Sequence, residues 1–186
     1  MLGYAFCGSF CTHKKSIEKL EEIILQGYEV QPIMSENVYT TDTRFGKAVD
    51  LIERVEKMCK RKVIHTIVEA EPLGPKIKLD ALIISPCTGN TLAKIANGIT
   101  DTAVCMAAKA HLRSNRPLVI ALASNDALSS NLKNVGALLT RKSVYFVPLE
   151  QDEPIEKPHS LIADFDLLPK TLENALKGNQ YQKVFK

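Results

Sequence analysis

The chain has 186 residues, 45% of them hydrophobic and 24% charged. That balance excludes a disordered chain, and the length allows a full core without disulfides or metal. The net charge of +3, from 24 Lys+Arg against 21 Asp+Glu, is too small and too mixed to point to nucleic acid or an acidic membrane as partner.

Apolar runs such as Leu118–Ala123 and Ala81–Ile84 fall far short of the ~18 residues a membrane helix needs. The opening MLGYAFCGSF reads as a strand and not as a signal peptide. Five cysteines, Cys7, Cys11, Cys59, Cys87 and Cys105, form an odd set without CxxC spacing, which points to a reducing, cytoplasmic setting. Cys7, Cys11 and His13 offer three possible metal ligands with no fourth in view, so no metal site is expected.

Leu2–Cys7 is a short apolar run ending at Gly8-Ser9 and predicts a buried strand. Thr12 can cap a helix over Lys14–Gln26, where Ile17, Leu20, Ile23 and Ile24 share one face and Gly27 ends it. Tyr28–Met34 alternates as a strand and closes at Ser35. After a threonine-rich stretch, Lys47–Lys60 shows helical spacing. Val63–Val68 is a third strand candidate, followed by a loop over Glu69–Lys78 with two prolines and a glycine.

Asp80–Ser85 predicts a central strand. A short helix, Thr91–Ala96, is capped by Asn90 and stopped at Asn97-Gly98. A longer helix over Asp101–Arg113 is apolar nearly all round, so a neighbouring protomer is expected to cover it and the chain to self-associate. Pro117–Ala123 is a strand, Ser129–Lys142 a helix, Val144–Val147 a strand and Pro169–Leu176 a last helix.

Strands alternating with helices predict an α/β parallel sheet covered on both faces, with residues 1–148 as the main domain and 149–186 as a C-terminal extension packed on it. In such sheets the ligand lies beyond the carboxyl ends of the strands, which selects the loops Gly8–His13, Ser35–Thr43, Pro86–Asn90 and Ser124–Ser130. They are rich in hydroxyls and amides and lack a strong general base, which suits a bound anion or heteroaromatic ring. Ser9, Ser35, Thr88 and Asn90 are expected to surround a phosphate-sized pocket, with no acid in Gly8–His13 or Pro86–Thr91 to repel an anion. There is no GxGxxG. Gly3 and Gly8 have P-loop spacing, but Ser9 stands where a lysine is required, and neither Ser124 nor Ser130 lies in GxSxG.

The string Pro86-Cys87-Thr88-Gly89-Asn90-Thr91-Leu92-Ala93-Lys94-Ile95-Ala96-Asn97-Gly98 resembles the PATANTIAKIANG stretch of the flavin-binding decarboxylase and prenyltransferase family. Gly8-Ser9 and Ser35 fall in register with that family, and Ala123-Ser124-Asn125 lies where its decarboxylases carry PAMN. The resemblance covers about residues 2–147. It implies a three-layer, Rossmann-like (flavodoxin-like) fold. It also implies FMN bound by Gly8, Ser9, Ser35, Pro86, Thr88, Asn90, Ser124 and Asn125, often at an interface between protomers of a homo-oligomer. Asn125 and His65 take the positions of catalytic residues.

Departures accompany the matches. Leu122 and Ser124 replace the Pro and Met of PAMN, Gly89 replaces an alanine, and His65 stands 21 residues before Pro86. The strings HTIVEAEPLGPK, MAAKAHLRSNRPLV and FVPLEQDEPIEKPHSLIAD resemble a narrower group, the B subunits of the two-component synthase that makes dipicolinate in spore-forming bacteria. That resemblance implies a nicotinamide-binding A subunit as partner, carrying NADP, and a location in the mother cell. It also implies a dicarboxylate substrate, 4-hydroxy-tetrahydrodipicolinate, whose carboxylates Arg44 or Lys76 could meet. A stand-alone FMN-dependent decarboxylase and a non-catalytic binding protein with vestigial flavin loops are the alternatives.

Overall fold

The computed structural model describes residues 1–186. The first apolar run forms β1 (Leu2–Phe6), buried along its whole length, and a 3-10 turn at Phe10–Thr12 leads into α1 (His13–Leu25). Then come β2 (Val30–Met34), a short α2 (Glu36–Thr40) and α3 (Ala48–Cys59). The expected strand Val63–Val68 does not form: only Ile64 bridges Ile33, and Ile67 and Val68 open α4 (Ile67–Ala70). A capping box turns the chain there: the Thr66 side chain accepts from Glu69 N–H, and the Glu69 carboxylate accepts from Thr66 N–H at 3.1 Å.

β3 (Leu82–Cys87) runs two residues further than expected, so the chain leaves the sheet at Thr88 and α5 (Gly89–Ala96) starts there. The cap is therefore Thr88 and not Asn90: the Thr88 hydroxyl accepts from Thr91 N–H at 3.2 Å. α6 (Ala103–Leu112), β4 (Leu118–Ser124), α7 (Leu132–Leu139) and β5 (Val144–Phe146) follow. The C-terminal segment supplies β6 (Leu149–Glu150), β7 (Leu161–Ala163) and α8 (Leu168–Leu176).

β2-β1-β3-β4-β5 form a parallel sheet in the doubly wound order 2-1-3-4-5. The sheet is not wholly parallel, because β5 pairs only with Leu118–Ile120 of β4. The free outer edge at Ala123 and Ser124 is taken by β7, antiparallel, and β6 adds to β7. Pairing this edge satisfies backbone groups that would otherwise be open. The edge of β5 is closed by one side chain: Gln180 accepts from Phe146 N–H at 2.8 Å and donates to Phe146 O at 2.7 Å. Leu149, Leu161, Phe165, Leu168 and Leu172 belong to the same continuous core as β1, β3 and β4.

α6 is buried on most of its surface, and α4 packs against it from within the chain. Neither the C-terminal segment nor a neighbouring protomer is needed to cover it, so the step from this helix to self-association falls away. In the core, Tyr4 Oη donates to Ser16 O at 2.8 Å, and the Ser16 hydroxyl reaches Ser85, tying α1 to β1 and β3. Burial pushes the Tyr4 phenol up to about 12.

Candidate functional site

In the order 2-1-3-4-5 the connection direction reverses between β1 and β3, and a crevice opens beyond their carboxyl ends. A cavity of about 560 Å³ lies there, in the size range of small-molecule sites. The loop after β1 contributes Gly8, Ser9 and Phe10. The start of α5 contributes Thr88, Gly89 and Asn90, and the end of β4 contributes Ser124, Asn125 and Asp126. Arg44 and Phe45 come from the loop before α3, and Asp152, Lys157 and Ser160 from the C-terminal segment.

Six of the expected site residues thus meet in one place: Gly8, Ser9, Thr88, Asn90, Ser124 and Asn125. Three do not line the cavity. Pro86 lies inside buried β3, where its carbonyl accepts from Cys7 N–H at 3.1 Å. Ser35 ends β2, and its hydroxyl is buried without a partner. His65 stacks on Tyr39 with ring centroids 3.7 Å apart, its Nδ1 3.4 Å from Glu69 Oε2. The capping turn at Thr66 holds it there, so a catalytic His65 is not brought to this cavity. Lys76 also lies outside the lining, while Arg44 is part of it.

Gly8–His13 and Pro86–Thr91 hold no acid, but two other segments bring acids to the cavity. Asp126 and Asp152 both line the cavity, brought in by the β4 loop and by the C-terminal segment. Asp126 accepts from the hydroxyls of Ser124 and Ser130 and from Asn131 Nδ2, the last two at 2.9 and 2.8 Å. These bonds, Ser124 foremost, hold its carboxyl below the usual range. Gly89 makes room for the cluster: a Cβ at residue 89 would lie 2.7 Å from both Asn131 Nδ2 and Asp126 Oδ1. The Gly89 and Ser124 departures from the family pattern are thereby parts of one arrangement.

The charges can be paired off. Lys157 binds Asp152 at 3.2 Å and Glu153 at 3.1 Å, and the charge of Asp126 is met by neutral donors. Arg44 lies over the Phe45 ring at 4.9 Å and has no carboxylate partner, which leaves it as the cation free to meet a ligand anion. Ser9, Asn90 and Asn125 have side chains not engaged in a strong bond to the protein; the Ser9 hydroxyl meets only Cys11 Sγ, at 4.0 Å. Thr88 and Ser124 are already engaged. Uncommitted neutral donors, two phenylalanines and one free cation fit a flat heteroaromatic molecule carrying an anion.

Cys87 is fully buried, and desolvation raises its thiol well above the usual value. Cys11, in the wall, is the one exposed cysteine. No three His, Cys, Asp or Glu side chains gather as a metal site, and no helix is long and apolar enough to cross a membrane. Phe10, Phe45, Asp126, Asp152 and Lys157 were not picked out by sequence reasoning. Phe10 and Asp126 carried a local signal, since they lie in the selected loops Gly8–His13 and Ser124–Ser130.

A parallel sheet in this order with a hydroxyl- and amide-lined crevice at its switch point defines a class, and the family model Flavoprotein matches residues 2–166. The chain belongs to the Flavoprotein family. It is 43% identical over 183 residues to the dipicolinate synthase B subunit of Bacillus subtilis, spanning 98% of this chain and 92% of that one. The crystal structure of the dipicolinate synthase B subunit from Bacillus halodurans superposes with a TM-score of 0.91 at 40% identity, over 100% of this chain and 95% of that one. The FMN-dependent cysteine decarboxylase SpaF shares the fold, with a TM-score of 0.65 at 23% identity over 95% of this chain and 94% of that one.

Proposed function

We propose that the protein is the B subunit of a dipicolinate synthase. It would work with a nicotinamide-binding A subunit to convert 4-hydroxy-tetrahydrodipicolinate, by loss of water and two-electron oxidation, to dipicolinate. One observation carries this reading. The likeness to the Bacillus subtilis protein spans 98% of the chain, and so includes the C-terminal segment that supplies Asp152, Lys157 and Ser160 to the cavity.

The cavity is the proposed site of FMN. Ser9, Asn90 and Asn125 would bind it through neutral donors, Phe10 and Phe45 would shield it from water, and Arg44 would meet its negative end. The partnerless Ser35 hydroxyl would gain a bond from a ligand oxygen reaching the end of β2. Bound FMN supplies a two-electron acceptor, with NADP on the partner protein as the other candidate for that role. Asp126, kept ionised by its three donors, would accept from an N–H or hydroxyl of the bound FMN and not release a proton.

The alternative of a non-catalytic component is favoured by one feature: Thr88 and Ser124 spend their hydroxyls inside the protein. Two measurements separate the readings: titration of FMN into the purified chain, and assay of dipicolinate formation by each protein alone and by the mixture, with and without FMN and NADP. A chain that takes up FMN and is required in the mixture supports the proposal. A chain that is dispensable refutes it. Ser9→Ala should weaken FMN several-fold with stability unchanged. Thr88→Ala should also cost about 1 kcal/mol of stability, because it removes the α5 cap.

A further inference from the structure

A second cavity, of about 370 Å³, adjoins the first across a wall of Phe10, Cys11 and Phe45, which line both. It lies where the first turn of α1, the end of α2 and the start of α3 come together. Ile17, Val38 and Leu51 give it an apolar lining. Its charged lining is one-sided: Lys14, Lys47 and Arg54 border it, and no Asp or Glu does.

None of these three cations enters an ion pair anywhere in the chain. The acid of the same loop, Asp42, is outside the lining; it accepts from Ala48 N–H at 2.9 Å and forms no ion pair with the three cations. His13, also in the lining, adds no charge: its Nε2 lies 2.8 Å from Cys7 O, and burial holds its pKa below the ordinary value. Three like charges around one hollow repel each other until an anion neutralises them. The apolar lining beside them excludes water from such an anion and favours one with a flat organic body over a bare inorganic ion.

We infer that this second cavity binds an aromatic dicarboxylate, with Lys47 and Arg54 meeting its carboxylates and Phe45 and the aliphatic side chains its ring. The choice of dicarboxylate rests on the proposed function; the presence of an organic-anion site does not. The site is separate from the cavity assigned to FMN, and the shared wall places the two ligands side by side.

The probe is pyridine-2,6-dicarboxylate, titrated calorimetrically into the full chain, with pyridine-2,6-dicarboxamide as the uncharged control and FMN titrated in parallel. Lys47→Gln and Arg54→Gln alter exposed side chains, and circular dichroism checks their fold. The dicarboxylate should bind, weaken with added salt, and lose about ten-fold in affinity with each substitution. The dicarboxamide should not bind, and the FMN affinity of both variants should equal the parent's. Variants that bind the dicarboxylate like the parent, displacement of the dicarboxylate by FMN, or no binding at all would each overturn the inference. Cation-dependent dicarboxylate binding in a protein that takes up no FMN would remove the flavin from the proposed function and leave this site standing.

Discussion

Gly89 and Asp126 lie so close that a methyl group on residue 89 would stand 2.7 Å from the Asp126 carboxylate. The first turn of α5 and the loop after β4 are therefore packed backbone to side chain. Gly89→Ala must push the Ser124–Asp126–Asn131 cluster aside and should cost roughly 1–3 kcal/mol, the usual scale of overpacking. Denaturant unfolding measures this. A variant as stable as the parent would show that the cluster moves freely and that Gly89 does not hold its place.

Five cysteines differ sharply in access. Cys7, Cys59, Cys87 and Cys105 are buried, and Cys11 is exposed. A thiol reagent such as Ellman's should react rapidly with one thiol per native chain and with the rest only on unfolding. Cys11→Ser should abolish the fast phase. Neither Cys11→Ser nor Cys87→Ser should remove activity, since Cys87 is held as a thiol by desolvation. A correctly folded but inactive variant would make that cysteine a nucleophile.

His111 is fully buried on α6, with Nε2 2.9 Å from Pro117 O and Nδ1 without a partner. Burial foremost, with Arg116 nearby, lowers its pKa against the opposing pull of the Pro117 carbonyl and Asp80. His13 is lowered by burial too. The folded state therefore prefers both rings neutral. Their contribution to stability is complete above the unfolded value of about 6.5 and is lost as pH falls below it. Stability should drop between pH 7 and 5, and His111→Gln should flatten part of that drop. A parent with level stability across this range would contradict the assignment.

Gly98 ends the short helix with φ of 73° and nothing within 4 Å of a built Cβ. The cost of a side chain there is backbone strain alone. Gly98→Val should lower stability by roughly 1–3 kcal/mol while leaving ligand binding unchanged. An unaltered melting temperature would show that the turn adapts.

Strand positions and the crevice were legible because β1, β3 and β4 are short apolar runs closed by Gly-Ser, Pro-Cys-Thr or Ala-Ser-Asn, and burial on both faces favours such runs. The family string Pro86–Gly98 added the flavoprotein class, and six cavity residues followed from loops that a parallel sheet must gather at one edge. Most of what the chain could not announce was set by contacts distant in sequence; the strand lost at Val63–Val68 is the local exception. His65 was displaced by a local capping box, Thr66-x-x-Glu69, that competed with an apolar run suited to a strand. Asp152 and Lys157 reach the cavity only because β4 outlasts β5 and leaves an edge for β7 to pair. The absence of acid holds for two loops, whereas the fold brings five segments together, and Asp126 and Asp152 enter the pocket from the others. Periodicity reports which face of an element is buried; which segments share a cavity is decided by edge pairing and packing between residues far apart in the chain.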